Sequence, residues 1–149
     1  MRLVAQGYAQ HQGLDYDQTF SLVVRLQTVR ILLVIVCRYR LHAAHLDVST
    51  AFLNGKINKN VHVWIPPAFE TEETEAKCYR PKEALYVLKQ AGHLWHAALD
   101  KQLQAFGFRR CRAEPCVYTH GSKDTLVLLA VYVDDLLVIG ATTLRVQSV

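Results

Sequence analysis

Apolar residues along the chain fall into two patterns, and each predicts a different kind of element. Residues 126–131 and 136–139 are short continuous apolar runs, with the length and composition of buried strands. Between them lie Tyr132, Val133, Asp134 and Asp135, which puts two adjacent carboxylates at the turn of a hairpin. Val29, Leu32, Leu33 and Val36 instead recur at helical spacing and predict a core helix, capped by Thr28 and running to about Arg38. A second helical pattern starts at Ala84, with a break near Gly92. It runs through Leu94, Trp95, Ala98, Leu99, Leu103 and Phe106 to a stop at Gly107.

The rest of the chain is read in the same way. Residues 2–8 alternate as a strand, and Gly7 and Gly13 bracket a turn. Residues 41–48 form a strand that ends at Asp47, and residues 49–55 form a tight turn into a short helix. Residues 61–65 make a brief strand stopped by Pro66 and Pro67, and residues 70–75 an acidic surface loop with four Glu. Pro115 opens a hairpin at residues 116–118 with Gly121 and Ser122 at its turn. This order of strands and helices with a late antiparallel hairpin predicts an α+β layer structure, a sheet backed by helices.

The paired carboxylates narrow the chemistry. Adjacent in a buried strand, two ionised Asp would repel and point to opposite faces, whereas at a turn both can reach one divalent cation. An ordinary acidic turn is the competing reading, because Asp is a common turn residue. Asp47, at the end of its own strand, lies 87 residues before Asp134 and supplies a third carboxylate. The small and hydroxylated residues after Asp47 suit a turn whose backbone amides hold an anion, or equally a simple helix cap.

Composition then excludes several classes. With 149 residues, 51% of them hydrophobic, the chain can bury a sizeable core as one domain. Its uninterrupted apolar runs, residues 31–37 among them, are far short of the ~20 residues that cross a bilayer, and its start lacks a signal peptide's apolar stretch. No membrane partner is expected, and an intracellular location is. The four cysteines form no C-x-x-C pair, so neither a zinc knuckle nor a disulfide framework is signalled. His42-x-x-His45 and His93-x-x-His96 are isolated pairs that would need further ligands to hold a metal. The net charge of +4 is uneven: residues 77–112 carry eight basic residues against Glu83 and Asp100, a local +6 that leaves −2 elsewhere. That segment suits either phosphates or a solvated helix face.

Six ordered blocks carry a resemblance. They are Arg2-Leu3-Val4-Ala5-Gln6-Gly7-Tyr8, Asp15-Tyr16-x-x-Thr19-Phe20, Val23-Val24-Arg25-Leu26, Leu46-Asp47-Val48-x-Thr50-Ala51-Phe52-Leu53-Asn54-Gly55, Ala84-Leu85-Tyr86-x-Leu88-Lys89-Gln90-Ala91 and Tyr132-Val133-Asp134-Asp135. In order and spacing the chain resembles the reverse transcriptase of copia-type LTR retrotransposons, over nearly its whole length. The resemblance implies a fingers and palm fragment of a right-hand polymerase with an RRM-like antiparallel sheet backed by helices. Finger segments would lie near residues 1–25 and 56–90, within a partial domain over 1–140, with a divergent tail at 141–149.

The implied chemistry is RNA-directed DNA synthesis, joining deoxynucleoside triphosphates to a primer 3′-hydroxyl on an RNA or DNA template, with two Mg²⁺ ions (Mn²⁺ as substitute). Asp47 and Asp134 match the family's principal metal ligands and Asp135 the third carboxylate. Thr50 and Ala51 match amides at the triphosphate, Phe52 the ring that excludes a 2′-hydroxyl, and Gln90 a glutamine near the incoming nucleotide. Tyr132 and Val133 match positions near the primer end. Cytoplasmic particles are the location the family implies.

Departures from the family pattern are Gln6 for Lys, Leu22 for Pro, Val87 for Gly, Gly92-His93 for Pro-Arg and His96 for an aromatic residue. The opening reads as truncated, and thumb, connection and RNase H segments are not expected in the sequence. An inactive or weakly active fragment is therefore the expectation for this chain. The alternatives are a non-catalytic retroelement relic and a basic nucleic-acid-binding module.

Overall fold

The computed structural model describes residues 4–66, 69, 71 and 77–147. The chain divides into two compact units, residues 1–20 with 50–98 and residues 21–49 with 99–149. Helices are α1 (Leu26–Tyr39), α2 (Ala91–Ala105) and α3 (Thr143–Gln147). Strands are β1 (His42–Asp47), β2 (Val63–Trp64), β3 (Cys78–Tyr79), β4 (Arg109–Arg110), β5 (Val117–His120), β6 (Val127–Tyr132) and β7 (Asp135–Gly140). The fold is α+β with antiparallel sheets.

The second unit is built on a five-stranded sheet in the order β1-β7-β6-β5-β4, antiparallel throughout. Both faces of its centre are covered. Val127, Leu129 and Val131 of β6, with Leu136 and Val138 of β7, join Leu103 of α2 and Val146 of α3. The intervening residues Ala130 and Ile139, with Leu128 and Leu137, meet Val29, Leu32 and Val36 of α1. Two covered faces explain why 126–131 and 136–139 are continuously apolar instead of alternating.

Helix α1 differs from its sequence reading in two respects. It begins at Leu26 with Arg25 as N-cap, so Thr28 stands inside the first turn and does not cap it. The Thr28 hydroxyl donates to Oε2 of buried Glu114 at 3.1 Å, and the Arg25 amide donates to the same oxygen at 3.4 Å. A carboxylate from a distant part of the sequence thus complements the positive helix end. Leu33, expected in the core, is exposed along with Leu26, Ile31 and Val34.

A polar cluster ties α2 to the sheet edge. Asp100 accepts hydrogen bonds from Tyr118 Oη at 2.9 Å and Gln104 Nε2 at 2.7 Å, and pairs with Arg110 at 2.6 Å. Burial pushes the Asp100 carboxyl up, but hydrogen bonds from Arg110, Gln104 and Tyr118 outweigh it and hold the group below its usual value. Burial also raises the Tyr118 phenol, which stays protonated as the donor. Nearby, burial and the Glu114 charge push the Cys116 thiol up to about 11, and all four cysteines are free.

The first unit packs Ala5, Val61, Ala84, Leu88 and Ala91 against Phe52, Ile57, Val63, Leu85 and Leu94. Its only paired strands among the described residues are β2 and β3. The expected strand over 2–8 is replaced by one bridge, Val4 to Tyr86, and a 3₁₀ turn at Gly7–Ala9; residues 2 and 3 lie outside the described residues. Of the acidic loop, residues 70 and 72–75 also lie outside them. The long helix begins at 91, not 84: residues 84–90 are drawn out by the Ala84 amide bonding to Gly55 and by the Tyr86 carbonyl accepting from Ala5. Gly107, at φ +86°, ends α2 where the sequence places the stop.

Val87 sits in this irregular, turn-containing segment at φ +73°, a left-handed conformation that a β-branched side chain resists. Its carbonyl lies against Gly7 so closely that any Cβ there would collide with it. The left-handed φ at position 87 is one that glycine adopts without cost.

Two outcomes are expected. Val87→Gly should stabilise the chain by roughly 1 kcal/mol, relief of strain exceeding the entropy of the added glycine, because the 59% exposed side chain gives up little packing; an unchanged or lower urea midpoint would contradict it. Asp100, whose pKa is depressed on folding, contributes stability that is present above its unfolded value near 3.8 and lost as pH falls through the lower folded value. Asp100→Asn should therefore cost roughly 1–3 kcal/mol at pH 7 and flatten the loss of stability as the solution is acidified past the carboxylate range, as read by urea melts at successive pH values.

Candidate active site

Antiparallel pairing of β1 with β7 puts Asp47 directly opposite Asp135. Residues paired across two strands project from one face, so these carboxylates lie side by side at the end of the strand pair. On its other side β7 pairs with β6, where Tyr132 stands opposite Asp135. Val133 and Asp134 form the two-residue turn between β6 and β7. The Asp134 carbonyl accepts the Val48 amide at 2.8 Å, which fastens the turn to the end of β1.

Val133 has φ +57° at the first turn position, where a tight hairpin of this hand prefers glycine. A valine held there stores strain of order 1–2 kcal/mol. The conformation bends the hairpin sharply enough to leave one carboxylate at the turn and the next on the strand face.

Asp135 is engaged. Its Oδ1 lies 2.8 Å from Nε2 of His45, two residues before Asp47 on the same strand. The period of two in a strand puts His45 and Asp47 on one face and His42 on the other. His42 Nδ1 indeed meets the Thr143 hydroxyl at 3.1 Å, so the two histidines do not share a ligand. The histidine in the second pair, His93, meets the Phe20 carbonyl through Nδ1 at 3.0 Å. His45 is the site residue that the H-x-x-H spacing obscured; the relevant signal was His-x-Asp in a strand.

The remaining expected residues belong to the first unit. Thr50, at φ +58°, opens the 3₁₀ turn Ala51–Asn54, and its carbonyl accepts the Leu53 amide at 2.9 Å. Ala51 is buried, and the Phe52 ring stacks edge-on against Tyr86 at 4.8 Å. Gln90 is 3% exposed, and both ends of its amide are used. Its Nε2 donates to the Asp15 carbonyl at 3.1 Å, and its Oε1 accepts from Gln10 at 3.1 Å. Gln10 in turn accepts the Lys89 amide at 2.8 Å. A separate cavity of about 660 Å³ in this unit is lined by Gln10, Val63, Trp64, Phe69 and Leu88 among others.

Carboxylate oxygens are the donors that a hard divalent cation prefers, so the chemistry of Asp47, Asp134 and Asp135 fits such an ion. In the arrangement observed, no three His, Cys, Asp or Glu side chains among the described residues stand close enough to hold one. No helix among the described residues is long and apolar enough to cross a membrane.

A family model described as reverse transcriptase (RNA-dependent DNA polymerase) matches residues 1–149. The chain is 33% identical to a retrovirus-related Pol polyprotein from transposon TNT 1-94 of Nicotiana tabacum, covering 93% of the chain and 10% of that protein. It is 34% identical to the Pol polyprotein from transposon RE2 of Arabidopsis thaliana, covering 98% and 10%. It is 29% identical to the Gag-Pol polyprotein of transposon Ty1-BL of Saccharomyces cerevisiae, covering 91% and 7%. The chain thus spans about a tenth of the length of these relatives. No solved structure matches it. With the tetrad, the Asp47 segment and the whole-length match in agreement, the chain belongs to the reverse transcriptase family of copia-type retrotransposon Pol polyproteins.

Proposed function

We propose that this chain is the fingers and palm portion of an RNA-directed DNA polymerase, built to extend a primer 3′-hydroxyl with deoxynucleoside triphosphates on an RNA or DNA template. One observation carries the reading: Asp47 stands opposite Asp135 at the end of the β1–β7 pair, beside the strained turn that carries Asp134. The antiparallel sheet backed by helices is compatible with the palm core of this reading.

Asp47 and Asp134 are the proposed principal ligands of two Mg²⁺ ions, with Mn²⁺ as a substitute, and Asp135 the third carboxylate. When bound, the cations would lower the pKa of the primer hydroxyl and offset charge on the α-phosphate and departing pyrophosphate. The protein's own part is to hold three carboxylates that repel one another without cations, so ion binding and local stability are coupled. The strain at Val133 fixes where the hairpin turn lies, and Tyr132 presents its exposed ring on the same face as Asp135, for the primer end. Thr50 and Ala51 amides are proposed for the triphosphate, Phe52 for exclusion of a 2′-hydroxyl and Gln90 for the nucleotide side of the site.

For the chain by itself, an inactive or weakly active state is the second reading. Two observations favour it: the Gln90 amide is consumed by Asp15 and Gln10, and Asp135 is held by His45. In that case the basic stretch 77–112 could still hold a nucleic-acid duplex without catalysis.

The test is extension of an oligo(dT) primer on poly(A) with Mg²⁺ or Mn²⁺. Activity, however weak, should fall at least 100-fold in Asp134→Asn and in Asp47→Asn, because a lost metal ligand removes several kcal/mol of transition-state stabilisation; retention of activity in either variant would refute the site. Duplex binding should weaken steeply with added salt and survive Asp47→Ala, as read by fluorescence anisotropy between 50 and 200 mM salt. Salt-independent binding would remove the nucleic-acid reading.

A further inference from the structure

Among the three carboxylates, Asp135 has a side-chain partner 2.8 Å away, Nε2 of His45. The strand register explains the contact. Asp47 is paired with Asp135 and His45 with Leu137, so all four side chains share one face and His45 lies diagonally across from Asp135. Two like charges directly opposite destabilise a strand pair, and a histidine two residues along is placed to draw one of them aside. The contact takes Oδ1 of Asp135 and pulls the carboxylate along β7, toward Leu137 and away from the turn that carries Asp134.

We propose that His45 is a positioning residue that clamps Asp135 and competes with a divalent cation for it. The inference rests on the two-metal reading of the site and deepens it. An entering ion meets Asp47 and Asp134 first, and Asp135 joins only by releasing His45. The clamp thus steadies the ion-free sheet end and sets how tightly the carboxylates take a cation. It also accounts for three carboxylates lying at one end of a strand pair without converging on a point. His45 touches no reacting atom in this scheme; it acts through Asp135.

Two measurements on the full chain test it. The first needs no metal: thermal melts of His45→Ala, Asp135→Ala and the double variant. Coupling is expected, with the double variant melting no lower than the less stable single variant; losses that simply add would overturn the clamp. The second is calorimetric titration with Mn²⁺. His45→Ala should bind Mn²⁺ roughly two- to fivefold more tightly than the parent chain, the range that an exposed polar side-chain pair of this kind can hold back. His45→Gln, which keeps an N–H donor, should stay near the parent value. Unchanged or weaker binding in His45→Ala would overturn the competition. If the parent chain takes up no Mn²⁺ and Asp47→Asn changes nothing, the two-metal reading fails, while the melts still decide whether the clamp exists.

Discussion

Pairing of β1 with β7 brings together residues about ninety positions apart and aligns Asp47 with Asp135. A slip of one residue would turn Asp47 to the opposite face of the sheet and replace it with an apolar neighbour. β1 is an exposed edge strand, so little burial opposes such a slip: only Ala44 and the following Val48 pack against the core, and the Val48 amide is fastened to the Asp134 carbonyl. The ladder to β7 and these few anchors are what hold two carboxylates across from each other. Electrostatics alone would separate them.

That arrangement costs local stability at several points, and the costs lie near the proposed chemistry. Val133, in the hairpin turn, occupies a left-handed conformation without being glycine. Asp47 faces Asp135, and a histidine offsets the repulsion. The Asp100 cluster works in the opposite sense, with every partner of the carboxylate satisfied and the group held ionised. Asp100 and Glu114 are thus committed to structure, whereas Asp47 and Asp135 face each other as like charges across a strand pair. Val87 is different: its strain serves no proposed step, at a left-handed φ that glycine adopts without cost.

Local physics made much of this legible in advance. The continuous apolar runs became β6 and β7, the helical stripe became α1, Gly107 ended α2, and Asp47 came at the end of a strand. Each depends on neighbours a few residues away, where periodicity and backbone preference carry real information. The ordered motifs likewise identified the family, because their spacing is a property of the chain itself. Where the reading failed, a distant partner had intervened. Residues 84–90 are helical in pattern but form turns tied by single backbone bonds to residues 5 and 55, and Thr28 gave its hydroxyl to a glutamate 86 residues away instead of capping its helix.

The sequence by itself determined which carboxylates exist, that they end strands, and the family to which the chain belongs. Only the tertiary structure decided which of them face one another. It assigned Asp135 to His45, left Asp134 at the turn, split an apparent histidine pair across two faces of a sheet, and enclosed Gln90 among hydrogen bonds from its own unit. The reason is strand register: it is fixed by packing between segments far apart in sequence, and a shift of a single residue would exchange every face.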